Sequence, residues 1–130
     1  MTNEYVKNSP LAALAYCAEK LNKEKFDYFV REWTWDAFKY CTEKLTEEQF
    51  DYCVHKFPFV ALESFANKLT PEQFDFCVRE KAWVALTYCA DKLTPEQFDF
   101  CVRKSPRTAL EYCVDKLTEE QKNYCKERTK

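Results

Sequence analysis

A 24-residue unit recurs along the whole chain without insertion or deletion. Each copy must then be one supersecondary element that buries its apolar face against its neighbours. Leu69–Lys92 reads LTPEQFDFCVREKAWVALTYCADK, and Leu93–Lys116 reads LTPEQFDFCVRKSPRTALEYCVDK. With Leu69 as position 1, the full repeats are Leu21–Lys44, Leu45–Lys68, Leu69–Lys92 and Leu93–Lys116. Met1–Lys20 aligns with positions 5 to 24, and Leu117–Lys130 with positions 1 to 14. The 130 residues read as one repeat domain, 1–130, with a partial first repeat and a C-terminal cap.

Each repeat carries two helix starts. Thr70-Pro71-Glu72-Gln73 and Thr94-Pro95-Glu96-Gln97 place threonine as N-cap, proline at the first helical position and glutamine where it closes a capping box. Thr46 and Thr118 keep the cap, followed by Glu47 and Glu119 at the positive end of the helix dipole. The second start is marked by proline at Ser9–Pro10, Phe57–Pro58 and Ser105–Pro106, each predicting a break of about two residues and a new helix. A repeat is therefore a hairpin of two helices, A and B, each about ten residues or about 15 Å long. Helices this short are unstable alone in water and need packing neighbours. About ten of them should follow one another.

The apolar positions recur at helical spacing. Helix A offers Phe26, Phe50, Phe74 and Phe98 with Val30, Val54, Val78 and Val102. Helix B offers Leu14, Phe38, Leu62, Leu86 and Leu110, flanked by alanines, and the leucine opening each repeat closes the stripe. Lys122 and Lys126 stand where Phe and Val stand in other repeats. The first helix is short and polar. Both ends read as caps of a complete array. The fold expected is all-α: a right-handed α-solenoid of stacked short hairpins.

The pattern of Phe50, Val54, Ala61-Leu62 and Leu69 resembles the short helical-hairpin repeats of unknown function found in bacterial, phage and giant-virus proteins. In those repeats alanine is usual where this chain has cysteine, and glycine or asparagine often marks the hairpin turn. The resemblance implies an α-solenoid and carries over no catalytic residue.

The chemistry that the residues exclude is broad. The chain has no glycine, which rules out nucleotide-binding loops that need positive φ and close backbone approach to phosphate. A net charge of −2 gives no general attraction to nucleic acid or anionic membrane. No apolar run is long enough to span a bilayer, and the N-terminus lacks the form of a signal peptide, so a cytoplasmic location is expected. The eight cysteines fall one per helix at positions 9 and 21, with no CxxC pair, and read as reduced core residues. No cofactor and no metal site are expected. His55, the lone histidine, replaces arginine in a ladder of i,i+4 pairs: Asp27 with Arg31, Asp75 with Arg79, Asp99 with Arg103. It has no nucleophile beside it in the pattern, and no enzyme is expected.

Two aromatic sets remain. Tyr28, Tyr52, Phe76, Phe100 and Tyr124 on helix A, with Tyr16, Tyr40, Tyr88 and Tyr112 on helix B, lie away from the core phenylalanines. They are expected as a second packing patch, with a stacking surface as the alternative. Positions 13, 15 and 16 vary freely on an otherwise constant frame, and all three tryptophans lie there. The expected function is non-enzymatic protein binding through Trp33, Trp35, Phe57, Phe59 and Trp83, with Arg79, Arg103 and Arg107 as charged neighbours. The alternatives are single-stranded nucleic-acid binding, a self-assembling spacer, and a small inhibitor protein of a mobile element.

Overall fold

The computed structural model describes residues 22–130. The partial first repeat, with its Ser9–Pro10 start, Leu14, Tyr16 and Cys17, lies outside the described residues, as does Leu21. The chain is all-helical, and among the described residues there is no strand. Helix A of successive repeats forms α1 (Lys23–Glu32), α3 (Glu47–Lys56), α5 (Pro71–Glu80), α7 (Pro95–Lys104) and α9 (Glu119–Arg128). Helix B forms α2 (Thr34–Tyr40), α4 (Pro58–Ser64), α6 (Ala82–Tyr88) and α8 (Pro106–Tyr112). The described chain divides into two compact segments, one ending at Phe57 and the other Pro58–Lys130.

The helix A starts form as the caps dictate. Thr46, Thr70, Thr94 and Thr118 sit in extended backbone, and each hydroxyl accepts from the glutamine N–H three residues on at 3.1 Å. Each glutamine side chain accepts in return from the threonine N–H, completing four capping boxes. Asn22 caps α1 alone, accepting from the Lys25 N–H at 2.8 Å.

The two helices differ in length, contrary to the equal lengths expected. Helix A has 10 residues and helix B has 7, followed by a single 3₁₀ turn at Thr42–Lys44, Ala66–Lys68, Ala90–Lys92 or Val114–Lys116. The break falls at position 21, where Cys41, Phe65, Cys89 and Cys113 have φ near −130° and ψ near 20°. The break is the same at Phe65 as at the cysteines, and in the second segment two of those cysteine thiols make a further bond there. Cys89 Sγ donates to Leu62 O and Cys113 Sγ to Leu86 O, both at 3.4 Å, so each thiol reaches the last turn of the preceding helix B. Carbonyls there lack an intrahelical partner.

The hairpin turn is also tighter than the two residues expected. One residue, Trp33, Phe57, Lys81 or Ser105, ends helix A and precedes helix B. Its N–H closes helix A, as in Lys81 N to Cys77 O at 2.8 Å, and its carbonyl opens helix B, as in Ala85 N to Lys81 O at 3.0 Å.

The core holds where the stripes cross. Val30, Val54, Val78 and Val102 are fully buried, as are Cys53, Cys77, Cys101 and Cys125 beside them. Phe38, Leu62 and Leu86 fill the helix B side. The position 6 phenylalanines are less enclosed than expected: Phe26 is buried, but Phe50, Phe74 and Phe98 are half-buried, as is Leu110. In the first segment Phe50 meets Phe38 edge-on at 5.6 Å. In Pro58–Lys130, α4 packs on α6 and α6 on α8, while α5 packs on α7 and α7 on α9. Helix B thus touches helix B of the next repeat, and helix A touches helix A.

Candidate binding surface

Position 15 lies in the first turn of helix B, two residues beyond the hairpin residue at position 13. Because α2 and α6 bury alanine and Phe38 or Leu86 on the opposite side, a side chain at position 15 is turned outwards. Trp35 and Trp83 occupy it and are 43% and 46% exposed; Trp33 at position 13 is 44% exposed. Surface tryptophans are amphipathic, with a large apolar body and one N–H donor, and are over-represented where proteins are recognised.

The eight expected residues are placed within each segment as follows. In the first segment Trp33, Trp35 and Phe57 line one concavity of about 310 Å³ with Arg31, Asp36 and Lys56. Trp35 meets Tyr40 edge-on at 6.4 Å, and Lys39 Nζ stands 5.6 Å from the Trp35 ring. In the second segment Phe59 is half-buried and packs on Trp83 with ring centres 5.6 Å apart. Arg107 occupies position 15 of its own repeat and is exposed.

Arg79 and Arg103 line a different groove, of about 520 Å³, shared with Glu96, Asp99, Phe100 and Tyr124. No tryptophan borders it. Each arginine is engaged twice: Arg79 Nε donates to Asp75 Oδ2 at 2.9 Å and its guanidinium lies 4.9 Å from the Phe100 ring centre. Arg103 repeats this with Asp99 and Tyr124, and Arg31 with Asp27 and Tyr52. The i,i+4 ladder therefore also clamps the position 8 ring of the following repeat. The arginine and glutamine bonds hold the Asp27, Asp75 and Asp99 carboxyls below the usual range, and Asp27 and Asp99 hold Arg31 and Arg103 above theirs.

Helix B carries a set of aromatic residues that the packing expectation misplaced. Tyr40, Tyr88 and Tyr112 at position 20 are more than half exposed. They are the last residues of α2, α6 and α8, and Tyr40 has Trp35 as a ring neighbour. The position 8 rings divide: Tyr52, Phe76, Phe100 and Tyr124 are half-buried, as a packing patch requires, whereas Tyr28 is exposed.

The remaining chemistry is subdued. The seven cysteines of the described residues are buried free thiols, and burial pushes Cys53, Cys77 and Cys101 up to about 12. Such thiols stay protonated near neutral pH and are poor nucleophiles and poor ligands. Among the described residues no three His, Cys, Asp or Glu side chains come together as a metal would require. The His55 ring Nδ1 lies 2.8 Å from the Asp51 carbonyl oxygen and 3.4 Å from its Oδ1. No helix of the described residues is long and apolar enough to cross a membrane. Comparisons with protein-family models, with curated proteins and with solved structures find no match to this chain.

Proposed function

We propose that this chain is a non-enzymatic protein-binding module that makes contact through aromatic residues of each segment: Trp33, Trp35 and Phe57 with the exposed Tyr40 in the first, and Phe59 and Trp83 with the exposed Tyr88 and Tyr112 in the second. The observation that carries this reading is that all three tryptophans sit, more than two-fifths exposed, at the repeat positions that vary on a constant frame. Exposed aromatic rings on a rigid element favour association when covered. Arg107 supplies a charged neighbour at the same repeat position. Arg79 and Arg103 take the supporting part of clamps within the frame. Their bonds to Asp75 and Asp99 also weigh against nucleic-acid binding, because a phosphate would have to displace a carboxylate already in place.

We further propose a right-handed α-solenoid as the arrangement of the hairpins. What supports it is the recurrence of the same side-chain links between successive repeats, in residues up to 57 and again in 58–130. Protonated, buried thiols suit a reducing compartment such as the cytoplasm.

Affinity capture from the native cell with the wild-type chain and with Trp35→Ala/Trp83→Ala tests the binding reading. A partner recovered by the wild type and lost by the double variant, with far-UV circular dichroism unchanged, supports it. Equal recovery by both overturns it.

A further inference from the structure

The glutamine at position 5 of the repeat makes two bonds at once. Gln97 Oε1 accepts from the N–H of its own N-cap, Thr94, at 3.0 Å, while Gln97 Nε2 donates to Asp75 Oδ1, 22 residues earlier, at 3.0 Å. Gln121 joins Thr118 to Asp99 in the same way, at 2.9 and 3.1 Å. Gln49 joins Thr46 to Asp27 at 3.0 and 3.1 Å. The other oxygen of each of these aspartates takes the arginine four residues on, at 2.9 Å. For Asp75 the bond from Gln97 is the leading cause of its lowered pKa.

A capping box is served equally by glutamate and glutamine. Glutamate is also favoured by the helix dipole in the first turn, and it fills position 4 in all four of these repeats, as Glu48, Glu72, Glu96 and Glu120. Yet position 5 holds Gln49, Gln73, Gln97 and Gln121, never glutamate. The exception is Lys25, and it follows the one partial repeat whose position 7 is Asn3 instead of aspartate. A demand for capping alone leaves the two residues interchangeable. A demand to cap and to donate to a carboxylate selects glutamine, because a second carboxylate in its place would face the first across about 3 Å.

We infer that the position 5 glutamine is an inter-repeat latch: it makes the N-terminal cap of each helix A conditional on the aspartate of the preceding repeat, so that adjacent hairpins become ordered together. Helix A is 10 residues long and cannot persist without its neighbours, so a cap that closes only when the neighbour is docked removes the half-ordered states between them. Helix B is tied in the same direction, since Cys89 and Cys113 reach back 27 residues to Leu62 and Leu86. The repeat Leu93–Lys116 therefore completes its predecessor on helix B and reads its predecessor's carboxylate on helix A.

The test is a double-mutant cycle on the full chain with Gln97→Glu, Asp75→Asn and both together, followed by urea unfolding and by amide exchange at the start of α7. Gln97→Glu keeps the capping acceptor but opposes Asp75; it is expected to raise the unfolding constant about tenfold and to speed exchange in the first turn of α7 by a similar factor. In the double variant the Asn side-chain amide can donate to one oxygen of the new glutamate while the other still accepts from Thr94. The double variant should therefore be within about threefold of Asp75→Asn alone. The loss of the Arg79 pair is common to both aspartate variants and cancels. Gln97→Met, which removes both bonds without adding charge, replaces Gln97→Glu if that variant does not fold, and its effect should likewise shrink in the Asp75→Asn background. The latch is overturned if Gln97→Glu is as stable as wild type, as capping and dipole alone require, or if the effects at 75 and 97 simply add.

Discussion

The Tyr124 hydroxyl donates to the Arg103 carbonyl at 3.3 Å, while the guanidinium of that same arginine lies 4.9 Å from the centre of the Tyr124 ring. Tyr124 of α9 thus bonds the backbone of the last turn of α7 with its hydroxyl and holds the Arg103 side chain against its ring. Phenylalanine at this repeat position in Phe100 keeps only the ring contact. Tyr124→Phe should cost ~0.5 kcal/mol, the low end for a hydrogen bond near solvent, whereas Tyr124→Ala should cost ~2 kcal/mol through loss of the half-buried ring and its cation. Urea denaturation of the two variants checks the difference.

Leu86 and Leu110 occupy one repeat position but different surroundings. Leu86 is 1% exposed between α4 and α8, and Leu110 is half-buried. Leu86→Ala should remove ~2–4 kcal/mol, the range for a leucine whose site cannot collapse, and Leu110→Ala about half of that. Equal losses at the two positions would contradict the burial difference.

The thiols give a second measure of order. In a Cys17→Ser background the seven remaining cysteines are all buried, and Cys53, Cys77 and Cys101 are pushed up to about 12. None should react with a maleimide at pH 7 on a timescale of minutes, and all seven should react in 8 M urea, a concentration at roughly the top of the usual denaturing range. Mass spectrometry counts the adducts. Fast labelling of any of the seven in the native chain would show that its helix opens readily.

Acid should weaken the frame through Asp27, Asp75 and Asp99. Their folded pKa values are lowered, Asp27 and Asp99 mainly by Arg31 and Arg103, and Asp75 mainly by Gln97. The unfolded chain therefore takes up protons first as pH falls, starting near the ordinary value of about 3.9. The stabilisation is fully present well above that value and is lost as pH drops through the folded values beneath it. The melting temperature should stay level from pH 7 to about pH 5 and fall below about pH 4. Asp75→Asn and Asp99→Asn together should flatten that fall. These side chains are about two-fifths exposed, so salt should reduce the effect.

The tryptophans offer the most direct view of the proposed surface. With all three more than two-fifths exposed, native emission should lie towards the red and iodide should quench it strongly. A bound partner should shift emission to the blue and protect against quenching. Native emission that is blue and unquenched would mean that the rings are already covered, by self-association or otherwise, and light scattering would identify self-association.

Much of the frame was legible because it is dictated locally and repeated. The Thr-x-x-Gln boxes, the buried valines and the Asp-Arg pairs each depend on spacings of three or four residues, and every repeat restates them. The length of helix B was not legible. The helix breaks at position 21 whether that residue is cysteine or Phe65, and no local pattern marks the stop. The exposure of Tyr40, Tyr88 and Tyr112 depends on which helices pack beside them, which the pattern within one helix does not give. Trp33, Trp35 and Trp83 were singled out through variability and are indeed outward-facing, but the arginines grouped with them answer to a different neighbour. Arg79 and Arg103 look forward to Phe100 and Tyr124 in the next repeat, and the spacing of 21 residues is invisible without the stacking of helix A on helix A.

The hairpin residue has one further consequence. Trp33, Lys81 and Ser105 share φ between −125° and −134° and ψ between 52° and 65°, although one is aromatic, one cationic and one a small hydroxyl. No described residue has positive φ. The bend is thus made entirely by backbone bonds that any L-residue with an N–H can supply, and the side chain there is spectator to the geometry. Such a corner behaves as a socket. Evolution or an engineer can exchange its contents one by one, altering what the surface presents while the chain continues to turn in the same place.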